Sequence, residues 1–189
     1  MPSHSRNSRF AVQVLRLALA GAVQGGALLG GSVAHADQPN KFVMTVYENG
    51  AGGASLVSGD YSAALKQMQH PSASDSMLMT NRCVAYTMTA QFETARSVCD
   101  AAVVDARKDI RHSPAVLLWE RNLLEQSLAI AYSNRAVLDW LSHDNSAAER
   151  DLSDAQALSP QGDYVAHNVS ALHSPHAENT VAQLESPRS

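Results

Sequence analysis

Residues 131–160 read AYSNRAVLDWLSHDNSAAERDLSDAQALSP, and the reading of this stretch decides the fold. Tyr132, Ala136, Val137, Leu138 and Leu141 gather the apolar side of a first helix. A short polar turn, Ser142-His143-Asp144-Asn145, interrupts it. Ala148, Leu152, Ala155 and Leu158 then recur at the i, i+4, i+7 interval that makes one apolar stripe on a second helix. Small residues at Ala136 and Ala148 let the two backbones approach closely. Pro160 stops the second helix, because it has no N–H and its ring clashes with the preceding turn. The spacing predicts a helical hairpin with one sticky edge, a unit that needs neighbours to bury its apolar face.

Outward from this hairpin the pattern recurs. An aromatic residue, a small residue four later, then Ala, a large apolar residue four on, Ala and finally Pro occupy Tyr132, Ala136, Ala148, Leu152, Ala155 and Pro160. This order and spacing resembles the tetratricopeptide repeat (TPR). Two slots depart from it: Arg135 stands where Leu is usual and Asp139 where Tyr is usual. Asn168 follows Asn134 by 34 residues, one period, in HNVSAL, which begins like another first helix. Upstream, NRCVAYTMTAQFETARSVCDAAVVDAR places Asn81, Cys83, Ala95, Cys99 and Ala102 against Asn134, Ala136, Ala148, Leu152 and Ala155. Tyr86 restores the Tyr that Asp139 replaces, and Arg107 stands in the place of the closing proline. Gly59, Tyr61 and Ala64 echo the turn and second helix of an earlier half repeat, whose first helix is poor because ENGAGGASLV is rich in glycine. The resemblance runs over about residues 58–173 by the repeat rule.

What the resemblance implies is an all-α domain, a short array of antiparallel helical hairpins at about 76–106 and 128–158. Such arrays present a concave surface lined by their first helices, suited to an extended peptide or a partner helix. Asn81, Asn134 and Asn168 recur at one place in each first helix and are the candidate groove residues. In family members that clamp a peptide's C-terminal carboxylate, an Asn in the Y-S-N-R context binds the peptide's end. The basic partners that complete that clamp are not evident in this sequence. Two roles therefore stand open for the three asparagines: peptide binding in the groove, or hydrogen bonding between neighbouring helices. The faces that carry Cys83 and Cys99 meet within a hairpin of this family. A disulfide between them is expected in an oxidising compartment, with two buried thiols as the alternative.

The chain has 189 residues, enough for one domain of ordinary size. Residues 1–36 read as a signal peptide: Arg6, Arg9 and Arg16 without an acidic residue, an apolar run from Leu17 to Leu29, and Ala34-His35-Ala36 as a cleavage site before Asp37. The run is too short and too interrupted by Gly and Gln24 for a spanning helix. Removing it leaves eleven Lys and Arg against eighteen Asp and Glu, a net charge of −7. An acidic exported protein without a basic cluster is a poor candidate for nucleic acid or anionic lipid. Residues 37–57 form an extended lead segment; Phe42 to Tyr47 has strand-like composition and reads as an arm lying along the helices. Ser74 or Asp75 is expected to cap the helix that follows.

Asn81 and Asn134 are 53 residues apart, one period plus 19, so an insertion lies near 108–127. Within it, Ser113-Pro114 reads as an N-cap followed by proline at the first helical position, opening a helix that can run to Leu141. Val116, Leu117, Leu118, Trp119, Leu123 and Leu124 then need a covering surface, from the preceding hairpin or from another protomer. Residues 174–189 read as a flexible tail.

No nucleophile elbow, zinc-protease motif, phosphate-binding loop or C-x-x-C pair occurs. His167, His173 and His176 are spaced by six and three, which is not a usual zinc arrangement. No catalytic residue, metal or cofactor is assigned. The expected function is an exported, non-catalytic TPR-like scaffold that binds a protein or peptide partner in the cell envelope, periplasmic or secreted. A homodimer is a further expected state, and a small envelope enzyme or ligand-binding protein on the same scaffold is the alternative, since fold does not fix function.

Overall fold

A computed structural model describes residues 12–16, 42–69, 76–113 and 117–174. The leader's apolar run and its Ala34-His35-Ala36 site, the cap at Ser74 or Asp75, Pro114, and the tail beyond Ser174 lie outside these residues. Among the described residues are two short strands, β1 (Val12–Arg16) and β2 (Val43–Tyr47), and seven helices. Two are short, α1 (Gly53–Val57) and α2 (Tyr61–Gln67). The others are α3 (Ser76–Met88), α4 (Phe92–His112), α5 (Leu118–Leu141), α6 (Asn145–Leu158) and α7 (Asp163–Leu172). The described chain is thus mostly helical, as expected.

From α3 to α7 each helix packs on the next, and α3, α5 and α7 also lie side by side. The two long hairpins, α3–α4 and α5–α6, close by the same turn. Ala90 (φ 56°) and His143 (φ 63°) are left-handed, and they stand 53 residues apart, the separation of Asn81 and Asn134. Gln91 N–H donates to the Tyr86 carbonyl and Asp144 N–H to the Asp139 carbonyl, both at 2.9 Å. This is the Schellman closure, which satisfies the carbonyls that the end of a helix leaves free. Asp144 then caps α6 by accepting from Ala147 N–H at 3.0 Å, and Asp60 caps α2 by accepting from Ala63 N–H at 2.9 Å.

The insertion lengthens both helices that flank it. α4 continues to His112 and α5 starts at Leu118, running unbroken through Glu125-Gln126-Ser127. Ser113 does not open a helix; it is the C-cap of α4, with extended backbone (φ −73°, ψ 124°). The physical reason is that the residue before a proline is pushed out of the helical region, so Ser113 ends one helix before the other begins. Leu118 and Trp119, on the added first turn of α5, are 83% and 59% exposed, so the preceding hairpin does not cover them.

The two departures from the repeat pattern form ion pairs between helices. Arg135 makes a two-pronged contact to Asp151 of α6 (2.6 and 2.8 Å) and reaches Asp100 of α4 at 2.9 Å. Asp139, buried, pairs with Arg96 of α4. A planar guanidinium fork suits this bridging role, and the buried Asp139 carboxylate is tolerated because it is paired.

Candidate functional site

The site begins with the composition of residues 42–47, FVMTVY, which is apolar on both alternating faces. Such a strand must be covered on both sides. In the structure it is: all six residues are buried. Phe42, Met44 and Val46 belong to a cluster with Leu56, Met68, Leu78, Val84 and Val137, and the Phe42 ring lies 4.4 Å from that of Trp140. Val43 and Tyr47 join a second cluster with Leu128, Ile130, Tyr132 and Val165. β2 is therefore a part of the core between two sets of helical side chains, and not an arm on the surface.

The three recurring asparagines meet this strand. Val43 N–H donates to Asn168 Oδ1 (2.8 Å), and Asn168 Nδ2 returns a bond to the Val43 carbonyl (2.9 Å). Thr45 makes the same pair with Asn134, both at 2.8 Å. Tyr47 makes it with Asn81, at 2.8 and 2.9 Å. A carboxamide carries one acceptor and two donors side by side, so it matches the N–H and C=O of an extended residue. Alternate residues of a strand are about 6.6 Å apart, which fixes the spacing of the ladder. One Asn on each of α3, α5 and α7 meets one residue in two, so three alternate helices span five residues of main chain. The strand runs against the order of the helices, its first rung on α7 and its last on α3.

Spare donors of the ladder are used locally. Asn168 Nδ2 also donates to Ser133 Oγ on the neighbouring α5 (2.9 Å), and Asn81 Nδ2 to the Ala51 carbonyl (3.2 Å). Of the two roles left open for these residues, the hydrogen bond between neighbouring helices occurs at Asn168, while the extended main chain that the three asparagines hold is not a partner's peptide. The held main chain belongs to the protein itself. All three asparagines are at most 1% exposed, so their carboxamides are closed off from solvent.

Beyond Tyr47 the chain turns sharply into α1. A Cβ on Gly53 would lie 2.1 Å from the Tyr47 carbonyl oxygen, so only glycine permits this approach. Tyr47 itself reaches across to donate its hydroxyl to Ser127 Oγ at 2.8 Å. Burial pushes the Tyr47 hydroxyl pKa up to about 12, opposed in part by that hydrogen bond.

The opposite edge of β2 carries β1. The two pair antiparallel, with Leu15 opposite Met44 and Gln13 opposite Val46. Cys83 of α3 and Cys99 of α4 are joined in a disulfide, with Cα atoms 4.8 Å apart and both residues buried. Their repeat counterparts on α5 and α6 are Ala136 and Leu152, so the bridge fills the volume of a small and a large apolar residue. Among the described residues no group of His, Cys, Asp and Glu is placed to hold a metal ion. Nor is any described helix long and apolar enough to cross a membrane.

What sequence reasoning missed is the strand's place. The available signals were the two-faced apolar character of FVMTVY and the asparagines recurring at the repeat period. Neither, read singly, says that the groove is filled from within. A scan against protein-family models, a search of curated proteins and a search of solved structures each give no match to this chain.

Proposed function

We propose that the chain is an exported, TPR-like helical scaffold that binds a protein or peptide partner in the cell envelope and carries out no chemistry of its own. The observation that supports this reading is the asparagine ladder. An amide that engages both N–H and C=O of an extended residue recognises main chain whatever the side chains are, which is the chemistry of a surface that organises strands. The shared turn geometry at Ala90 and His143, 53 residues apart, supports the repeat arrangement. The Cys83–Cys99 bridge supports an oxidising compartment.

The test is isolation from the native envelope under non-denaturing conditions. The full chain carries a C-terminal tag, and every protein recovered in stoichiometric amount is tagged in turn. A partner that recovers the chain reciprocally is the expected result. The chain recovered alone in both directions overturns the reading. A second state, two copies joined through the first turn of α5, is favoured by the exposure of Leu118 and Trp119. Sedimentation of the protein with and without Leu118→Glu and Trp119→Glu distinguishes it: a dimer that the substitutions dissociate is expected, and a monomer in both rejects it.

A further inference from the structure

From the pairing of β1 with β2 we infer that the outer edge of β2 is a strand-addition site. It takes an extended segment of a partner protein, and residues 12–16 of the unprocessed chain occupy it in advance. The inference deepens the partner-binding reading and rests on it.

The N–H and C=O of one strand residue point to the same side, and the side alternates along the strand. Val43, Thr45 and Tyr47 spend theirs on Asn168, Asn134 and Asn81. Those of Met44 and Val46 therefore face the other edge, where Leu15 and Gln13 stand opposite them. β2 is held rigid from below by the ladder and from both faces by the two clusters, so it offers this edge pre-formed. Pre-organisation of that kind removes much of the ordering cost that an arriving strand otherwise meets.

Cleavage before Asp37 takes away Val12–Arg16 and leaves the N–H and C=O groups of Met44 and Val46 without their pair. An apolar strand with a free edge is a template for another chain. The occupant's chemistry is read from the segment that already fits: five residues, VQVLR, extended, antiparallel, rich in β-branched and apolar residues and with no carboxylate. The net charge of −7 on the processed chain disfavours an acidic segment in the same place.

The test uses the oxidised full chain, the same chain with Gln13→Pro and Leu15→Pro, and the processed chain from the envelope. Proline at these two positions removes the N–H groups that the edge accepts, and both positions lie in β1, outside the helices. The probe is a labelled peptide with the sequence of residues 10–18, FAVQVLRLA, followed by fluorescence polarisation. The tethered strand competes at an effective concentration on the order of millimolar. The expected result is binding to the processed chain and to the proline variant at least about tenfold tighter than to the unaltered full chain. A second peptide, with proline at the positions of Gln13 and Leu15, binds none of the three. Equal binding to the unaltered chain and the variant overturns the inference, as does no binding to the variant or dimerisation of the processed chain that shuts the peptide out. A partner recovered reciprocally from the envelope while the peptide fails leaves the partner-binding reading standing and removes this one. Peptide binding without any such partner leaves an edge that accepts a strand but overturns the partner-binding reading and, with it, the assignment of that edge to a partner's segment.

Discussion

At the scale of single residues, the ladder concentrates stability in a few carboxamides. Asn134→Ala strands the Thr45 N–H and C=O in a place where Thr45 is 1% exposed, out of reach of water. Each orphaned group costs about 1–3 kcal/mol, so urea denaturation should show a loss of about 2–6 kcal/mol. A loss below about 1 kcal/mol would mean that the strand relaxes to find other partners. Tyr47 adds a pH signature. Its hydroxyl pKa rises from 10.0 to about 12 on folding, so below pH 10 both states hold the proton and the full stability is present. Between pH 10 and 12 the unfolded chain releases a proton that the folded chain keeps, and stability falls by about 1.4 kcal/mol per pH unit from this group. Tyr61 and Tyr164, also raised by burial, add slope of the same sign. Tyr47→Phe should flatten the alkaline limb of a stability–pH curve by about 3 kcal/mol in total, and an unchanged limb would contradict the burial of the hydroxyl.

At the scale of elements, the two hairpins share a turn and both hold a residue other than glycine at its left-handed position. Ala90 and His143 both occupy the left-handed region, which is unfavourable for a residue with a Cβ. Ala90→Gly relieves that strain at the cost of some unfolded-state entropy, and a net gain of about 0.5–1 kcal/mol is expected in thermal denaturation. A loss instead would show that the Ala90 methyl contributes packing that outweighs the strain. The inserted residues act on elements too. They lengthen the end of α4 by about two turns and the start of α5 by about three without disturbing the register of the ladder, because Asn81 and Asn134 both lie in the parts of α3 and α5 that face β2.

At the scale of the whole molecule, export and oxidation are coupled expectations. The mature protein recovered from the envelope should begin at or very near Asp37, read by N-terminal sequencing. The same sample, denatured without reductant, should show no free thiol, because Cys83 and Cys99 are bridged. With a sequence separation of 16, the chain-entropy model gives the bridge about 3 kcal/mol. Reduction should lower the denaturation midpoint accordingly, and two titratable thiols in the native sample would rule the bridge out of the exported protein.

The helical character and the two long hairpins were legible in the sequence because apolar residues at i, i+4 and i+7 can form one stripe only on a helix. The periodic recurrence of Asn81, Asn134 and Asn168 was legible as well, whereas a bridge between Cys83 and Cys99 was implied only by the family resemblance and an oxidising compartment, with two buried thiols as the alternative. The sequence could not say what the asparagines hold. Val43 and Asn168 are 125 residues apart, and no local pattern reports a contact of that range. The start of α5 was misread for a related reason: Ser113-Pro114 has the local form of a helix start, yet Ser113 closes α4. Only the tertiary structure decides that FVMTVY is core, because a buried main chain needs every N–H and C=O answered, and three helices distant in sequence supply the answering groups.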